Sequence, residues 1–309
     1  MKIETKKKPY SIIKNKDIKG YGFSIQMVIA VLITIAFPLI VSLLISFTDL
    51  KINLNNFKFV GFENYLWVFS EENSGFLKAT GVSVAFSIVS TIIQTILGFL
   101  LAIMLYFLSP RLQGVYKTLI YLPVVLPSAV VSAMWIMMYS GDEHGILNII
   151  FNLKNPPFQW MGNNIIAFLC LIVTNTWRFV GITTVIYLVN MSSVSKEVIE
   201  SAKLDGANKF QLITQILLPL TWSATQMNII LSMIGGVKSF DLFYLFQTSG
   251  NLSTDLTPVA LLIYKIGLGN SDIRNISLAK SVTMSIVLAI ILGILTIVVN
   301  KIFTRKESD

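Results

Sequence analysis

The chain has 309 residues, of which 54% are hydrophobic and 13% are charged, whereas soluble domains carry about a quarter charged residues. This composition and a mean hydropathy of +0.72 indicate a protein whose solvent is largely lipid. The net charge of +8 does not indicate nucleic-acid binding, because the basic residues flank apolar runs instead of sharing one folded face.

Six apolar runs follow one another along the chain, each long enough for a helix that crosses a bilayer, which needs about 20 residues. Helices are the expected form because unpaired backbone groups are too costly in lipid. Pro38, Pro123 and Pro127 lie inside these runs and are expected to kink them. The sequence therefore predicts an all-α membrane protein with six transmembrane helices. The predicted spans are residues 23–47, 81–108, 118–139, 165–189, 222–246 and 279–303.

Basic residues set the expected orientation of the spans. Most of the 24 Lys and Arg residues lie in the N-terminal segment, the 109–117 connector, the polar stretch after the fourth span and the C-terminal end. Short loops rich in Lys and Arg stay in the cytoplasm, and an even number of spans returns both termini to one side. We therefore expect both termini in the cytoplasm, with an N-terminal segment 1–22 and a tail 304–309 flanking a membrane domain 23–303.

The polar stretch between the fourth and fifth spans, about residues 191–220, is called the elbow below. Its sequence predicts two short helices. Ser195 suits the N-cap of the first helix, which is expected to end near Leu204, and Gly206 suits the left-handed position that follows a helix. Asp205 is expected to cap a second helix that begins at Ala207.

The second helix of the elbow is predicted to carry one apolar stripe on a polar surface, with Pro219 ending the helix. An exposed stripe of this kind lies on the membrane interface or docks into a groove on a partner protein, and a plain surface connector is the alternative. The stripe consists of Phe210, Ile213, Thr214 and Leu217.

The segment "ESAKLDGANKFQLITQILLP" resembles the EAA loop of ATP-binding-cassette (ABC) importer permeases. Four further segments, "FVGFENY", "LPVVLPSAVVSAMW", "FQWMG" and "WRFVG", resemble the carbohydrate-uptake subfamily, which includes maltose-type and glycerol-phosphate-type importers. Ser201 replaces the middle Ala of the EAA motif, and "TSGNLSTDLTP" departs from the family's Gly-Gly-Pro loop. The positions that match the EAA motif are Glu200, Ala202, Asp205, Gly206, Ala207 and Pro219.

The resemblance implies a transmembrane permease subunit of an ATP-driven importer in the bacterial cytoplasmic membrane. Its substrate would be a sugar or oligosaccharide delivered by an extracellular solute-binding protein. The other expected partners are a second, different permease subunit, which makes a heterodimer, and two cytoplasmic ATP-binding subunits. The elbow would be a coupling helix that docks on one ATPase. The implied coupling residues are Glu200, Ser201, Ala202, Asp205, Gly206, Ala207 and Phe210.

ATP hydrolysis is expected on the partner ATPase, together with ATP and Mg²⁺, and no cofactor is expected on this chain. The sequence has no G-x-x-x-x-G-K-[ST] motif, whose backbone would cradle the phosphates of a nucleotide. It is therefore not expected to be an enzyme, and no catalytic residues are assigned.

Polar and aromatic side chains inside the spans are candidates for a substrate pathway, since polar groups in lipid usually face a cavity or another helix. Gln94 is a further polar candidate. Lys238 and Asp241 are three residues apart, so a structural ion pair on one helix face is the alternative for them. Interhelical hydrogen bonds and an interfacial aromatic belt are the alternatives for the others. The predicted substrate-pathway residues are Trp135, Asn175, Trp177, Arg178, Asn228, Ser232, Asp241 and Tyr244.

No metal site is expected. One cysteine, Cys170, and one histidine, His144, exclude an internal disulfide and a His/Cys metal cluster. His144 lies in "SGDEHG", where three consecutive polar side chains point in different directions, so a solvated loop is expected.

Two other transporter functions remain open from sequence. The first is an ABC permease for another small solute. The second is an ion-coupled secondary transporter, which would need an in-membrane carboxylate relay, whereas Asp241 is the single acidic residue deep in a predicted span.

Overall fold

The computed structural model describes residues 25–51, 57–70, 74–153, 155–269 and 276–304. The expected segment 1–22 and residues 305–309 of the expected tail lie outside the described residues. Within the described ranges the chain is helical and has no β-strand, with one isolated antiparallel bridge between Thr48 and Phe59. The helices are α1 (Ile25–Ile45), α2 (Glu63–Phe69), α3 (Phe76–Tyr106), α4 (Pro110–Val125), α5 (Ser128–Met138), α6 (Ile146–Ile150), α7 (Asn164–Ser192), α8 (Lys196–Leu204), α9 (209–220), α10 (Trp222–Val237), α11 (Asp241–Ser249), α12 (Val259–Gly267) and α13 (Leu278–Thr304).

Five stretches of the described residues are helical, long and apolar enough to cross a membrane: α1, α3, α7, the pair α10–α11, and α13. A sixth span results if the bent pair α4–α5 is counted as one. These stretches coincide with the six predicted spans, with ends that differ by a few residues. The predicted all-helical membrane protein is therefore confirmed at the level of fold class.

The third predicted span, 118–139, is wrong as a continuous helix. The chain bends by 95° between α4 and α5, and Leu126 at the bend is extended, with ψ 137°. Pro127 explains the break, because proline has no N–H to donate and pushes the preceding residue out of the helical region. Pro123, by contrast, is accommodated inside α4.

The fifth span also breaks, between Val237 and Asp241. Lys238 lies at the C-terminal end of α10, and Asp241 lies in the first turn of α11. Each charge therefore faces the helix end whose partial charge it offsets. The structural ion pair that was the alternative for Lys238 and Asp241 is not among the ion pairs of the described residues, which are Lys78–Asp255 and His144–Glu143.

Small residues bring the spans into close contact around α3, which packs along α7 and α10. Gly98 of α3 lies against Thr183 of α7, and Gly181 of α7 lies against the backbone of Ile120 in α4. Such close approach of helices is typical of packing within a membrane. By contrast, α1 has no buried residue in its apolar centre.

Candidate functional sites

The first helix of the elbow forms as predicted. The Ser195 hydroxyl oxygen accepts a hydrogen bond from the Val198 N–H at 3.4 Å, and Glu197 in the first turn and Lys203 in the last turn complement the helix dipole. The helix ends at Leu204, which agrees with the predicted end.

A Schellman motif closes this helix. Gly206 is left-handed, with φ +82°, as predicted. Its N–H donates to the Lys203 carbonyl at 3.1 Å, and the Ala207 N–H donates to the Ala202 carbonyl at 2.9 Å. These two bonds satisfy carbonyls that would otherwise be left open at the helix end.

The second helix of the elbow begins later than predicted. Asn208, not Asp205, is the N-cap: its Oδ1 accepts from the Gln211 N–H at 2.9 Å, while Gln211 Oε1 accepts from the Asn208 N–H at 2.8 Å. This reciprocal pair is a capping box. The helix ends at Leu220, one residue beyond the predicted end at Pro219.

The predicted apolar stripe does not form a single exposed face. Phe210 is 73% exposed, whereas Leu217 is fully buried. Residues 212–217 adopt a π-helix, whose wider turn aligns residues five apart. As a result Leu212 and Leu217 share the buried face of α9.

A compact apolar cluster, called the elbow core, attaches the elbow to the membrane helices. Burying a leucine side chain contributes about 1.5–3 kcal/mol, so this cluster fixes the elbow firmly to the spans. The Lys209 ammonium also lies 5.8 Å from the centre of the Phe107 ring at the end of α3. The elbow core consists of Ile199, Leu212 and Leu217 from the elbow, Ala102 and Leu105 from α3, Tyr187, Leu188 and Met191 from α7, and Ala224 from α10.

The outer surface of the elbow exposes both polar and apolar side chains. Leu204 at the end of α8 is 88% exposed and lies beside the Asp205–Gly206 turn. A leucine and a phenylalanine this exposed, outside the apolar spans, form a surface suited to contact with another protein. Of the predicted coupling residues, Glu200, Ser201, Asp205, Gly206 and Phe210 are exposed, and Ala202 and Ala207 are half-buried.

A second candidate site is a cavity of about 420 Å³ between α3, α7, α10 and the start of α11, called the polar cavity below. Five of the eight predicted substrate-pathway residues line it: Asn175, Arg178, Asn228, Ser232 and Asp241. Gln94 and Lys238 line it as well. The structure thus brings together side chains that are up to 148 positions apart in sequence, from Gln94 to Leu242.

The three predicted aromatic residues lie outside the lining of the polar cavity. Trp135 and Trp177 pack edge to face, with ring centroids 5.7 Å apart. Tyr244 packs against Phe240 and Tyr264, at 5.4 and 5.7 Å between centroids. Phe240 itself lines the cavity, so the Tyr244 cluster borders it without facing it.

Sequence reasoning missed Thr174, Thr183 and Ser239, which also line the polar cavity. Helical spacing could have identified Thr174, because it lies one turn before Arg178. Thr183 was not readable in this way, because nine residues at 3.6 per turn place it about 180° around the helix from Thr174. Ser239 could not be placed in the same way because it lies in the break between α10 and α11.

Asp142, Glu143 and His144 of the "SGDEHG" loop are exposed, in agreement with the expected solvated loop. His144 Nε2 lies 3.6 Å from Glu143 Oε1, whereas the Asp142 carboxylate turns away and accepts from Ser140 Oγ and the His144 N–H, both at 2.9 Å. No group of three or more His, Cys, Asp or Glu side chains among the described residues is arranged to hold a metal ion.

Residues 94–308 match the family described as binding-protein-dependent transport system inner membrane component. The trehalose/maltose transport system permease protein MalF of Thermococcus litoralis is 28% identical over 83% of this chain and 87% of its own. The arabinooligosaccharides transport system permease protein AraP of Bacillus subtilis is 25% identical over 93% of this chain and 89% of its own.

The fold is shared with a chain in the crystal structure of a bacterial ABC transporter involved in the import of the acidic polysaccharide alginate. The TM-score is 0.76 at 21% identity, and the match covers 94% of this chain and 96% of that chain.

Proposed function

We propose, from the premise that this chain belongs to the family of binding-protein-dependent transport system inner membrane components, that it is the permease subunit of an ATP-driven oligosaccharide importer. The observation that carries the proposal is the physical link between an exposed elbow and a polar cavity. The elbow core connects both helices of the elbow to α3, α7 and α10, and the same three helices line the cavity. The names of the MalF and AraP relatives support a carbohydrate as the transported solute.

In this proposal the exposed tip of the elbow docks on a cytoplasmic ATP-binding subunit. Leu204 and Phe210 supply apolar contact area, Glu200, Ser201 and Asp205 supply polar contacts, and Gly206 sets the turn. Ala202 and Ala207 are small enough for a partner surface to approach closely. The positive end of the partner's helices or its basic side chains would meet Glu200 and Asp205.

The elbow core then carries the effect of docking into the membrane. Because Leu212 and Leu217 are buried against α3 and α7, a displacement of the elbow moves the inner ends of these helices as well. A partner that binds one arrangement of the helices better than the other shifts the equilibrium between them. The ATPase would thereby control access to the polar cavity.

The assembly implied by this role has a second permease subunit, two ATP-binding subunits and an extracellular solute-binding protein. ATP and Mg²⁺ belong on the ATP-binding subunits. The N-terminal segment 1–22 and the tail 304–309, which flank the permease domain 23–303, lie in the cytoplasm. The elbow, at about residues 191–220 of the permease domain, lies in the cytoplasm as well. The solute passes the polar cavity, with the Trp135–Trp177 pair and Tyr244 next to the path.

The test is ATP-driven uptake of a panel of labelled oligosaccharides by the complete importer in proteoliposomes. Glu200→Arg and Gly206→Asp are expected to abolish uptake while the assembled protein is still recovered in normal amounts. Glu197→Gln is the matched control, since it changes an exposed carboxylate of the same helix outside the docking set, and it should transport normally. Normal uptake by both elbow variants would refute the coupling role, and uptake that persists without ATP would favour a secondary transporter.

A further inference from the structure

The short helix α2, on the proposed outer side of the membrane, exposes large apolar side chains. Phe62, Leu66 and Phe69 follow one another at helical spacing, and Phe59 just before the helix extends their surface. These four side chains, called the outer patch below, are 57–78% exposed. An exposed apolar patch of this kind marks a surface that contacts a membrane or another protein.

The other face of α2 is buried in the protein. Asn64 and Val68 are buried and lie about 150° around the helix from the centre of the outer patch. Val68 belongs to an apolar cluster that includes Phe76 of α3 and Met284 of α13. Because the protein already covers this face, the outer patch needs a separate apolar environment.

Hydrogen bonds fix α2 at the end of α1. The Asn64 Nδ2 donates to the Ser46 carbonyl at 2.8 Å and to the Thr48 carbonyl at 2.6 Å. The Tyr65 hydroxyl and Ser46 Oγ also share a hydrogen bond of 2.8 Å. The apolar span of α1 ends at Ile45, so α2 is held by the first residues beyond it. The helix therefore lies at the level where α1 leaves the apolar part of the membrane.

The last span places α2 at the same depth. Thr283 Oγ1 of α13 lies 3.3 Å from the Ser46 carbonyl oxygen. Helix α13 has 27 residues and is about 40 Å long, whereas the hydrocarbon core is about 30 Å thick, so a centred α13 extends about 5 Å beyond the core at each end. Thr283 is five residues after the start of α13 at Leu278, which is about 7 Å along the helix. This places α2 beside the boundary between headgroups and acyl chains, and not above the membrane.

The outer patch is continuous with the apolar surface of α1. The Phe47 ring packs against Phe59 and Phe62, at 6.4 and 5.3 Å between ring centroids. Leu43 and Leu44, in the last turn of α1, are exposed and belong to a span whose apolar centre has no buried residue. Phe47 thus joins the exposed end of α1 and the outer patch into one apolar surface.

We infer that α2 is an interfacial helix whose outer patch is inserted among the phospholipids of the outer leaflet. Helices with Phe and Leu on one face lie in the plane of the interface, with this face about 5–10 Å into the boundary between headgroups and acyl chains. The depth of α2 and the continuity with α1 favour lipid over a second copy of the chain or a protein that docks from the water. The inference does not depend on the transported solute, so its failure would leave the proposed function standing.

The test places a nitroxide spin label at Phe62→Cys, Leu66→Cys or Phe69→Cys, one at a time. The complete importer, with cysteine-free partner subunits, is reconstituted in nanodiscs of phosphatidylethanolamine and phosphatidylglycerol without its solute-binding protein. Collisions of the label with oxygen, which concentrates in the bilayer, and with a water-soluble nickel chelate report its depth. We expect collisions mainly with oxygen and a depth of about 5–10 Å. Ile40→Cys, which is exposed on α1, is the lipid reference.

Glu63→Cys is the matched control on the same helix. Glu63 is exposed and lines a cleft that contains other charged side chains, so its label should collide mainly with the nickel chelate. Labels on the outer patch that match Glu63→Cys would place the patch in water and overturn the inference. Labels that are immobilised and shielded from both reagents would mean that protein covers the patch, which would overturn it as well. Because Phe62 also packs on Phe47, Leu66→Cys and Phe69→Cys decide the question if Phe62→Cys does not assemble.

Discussion

Gly236 of α10 lies directly against Ser87 of α3, so that a Cβ placed on Gly236 would lie 2.7 Å from the Ser87 Cα and overlap it. A hydrogen bond from Ser87 Oγ of α3 to the Met233 carbonyl of α10, at 2.7 Å, holds the two helices together at the same contact. The wall of the polar cavity is therefore positioned by a contact in which neither helix has room to move closer.

We expect Gly236→Ala to destabilise the packing of α10 on α3 by about 1–3 kcal/mol, the usual range for overpacking. The added methyl group meets backbone atoms, which have no alternative rotamer. Thermal unfolding of the detergent-purified protein measures the loss. Gly235→Ala is the matched control, because no atom lies within 4 Å of its added Cβ. Equal melting of the two variants would contradict the close contact.

Leu217→Ala is expected to cost about 2–5 kcal/mol, because it opens a cavity in the elbow core. The same truncation at Leu218, which is 42% exposed, should cost far less. In the complete importer Leu217→Ala should also weaken the coupling between ATP hydrolysis and uptake, measured as ATP consumed per solute transported. Unchanged coupling in a folded Leu217→Ala importer would argue against transmission through the elbow core.

Substitutions at Gly206 test the left-handed backbone conformation of the elbow turn separately from the contacts of its surface. No atom lies within 4 Å of a Cβ added there, so Gly206→Ala changes only the energy of the left-handed conformation, by about 1–2 kcal/mol. Gly206→Asn should be milder, since Asn tolerates this conformation. Gly114→Ala, in a helix with open space around it, should be neutral or slightly stabilising. The measurement is the thermal midpoint, and a ranking other than Ala below Asn below wild type would be inconsistent with the Schellman motif.

The proposed orientation gives a labelling experiment with a low background, because Cys170 is the single cysteine and is buried. We expect Glu143→Cys to react with a membrane-impermeant maleimide in intact cells, and Ser201→Cys to react only after the membrane is opened. Both positions are exposed in the fold, so the difference reports the side of the membrane. Labelling of Ser201→Cys in intact cells would place the elbow outside and refute the coupling role.

The exposed salt bridge between Asp255 and Lys78 is expected to lose its contribution to stability at acidic pH. The hydrogen bond from Lys78 Nζ, at 2.7 Å, lowers the pKa of the Asp255 carboxyl, and a hydrogen bond from Asn164 contributes in the same direction. Because the folded-state pKa is depressed, the stabilisation is present above the unfolded-state pKa of about 3.9 and is lost as the pH falls through the folded-state value.

The corresponding comparison is the thermal midpoint of the wild type and Asp255→Asn at neutral pH and at about pH 3. The variant should lie slightly below the wild type at neutral pH, and the gap should close in acid. Both partners are mostly exposed, so the effect is small. A gap that stays constant with pH would mean that the carboxylate does not contribute through its charge.

Features that depend on residues close together in the sequence could be predicted from the sequence. The apolar runs predicted the spans, Ser195 predicted the start of α8, and Gly206 predicted its end. The break at Pro127 was also available from local chemistry, because proline acts on the residue before it. The capping box could also have been predicted, since Asn208 and Gln211 have the required spacing.

Features that depend on packing were not predictable in the same way. The π-helix at 212–217 places Leu212 and Leu217 together on the buried face of α9, and nothing in the sequence of this stretch predicts its wider turn. Trp135 and Trp177 are in spans, as predicted, but whether an aromatic ring faces a cavity or another ring depends on how α5 and α7 meet. The roles of the cavity residues in transport remain predictions.

The Schellman motif has a consequence for how often the elbow can be used. Its two hydrogen bonds and the capping box that follows are formed within the chain, so the tip is preorganised before any partner arrives. A binding surface that already has its final shape loses little conformational entropy on contact. Under the proposed coupling role, docking of the elbow on the ATP-binding subunit is then governed by surface complementarity and needs no folding step.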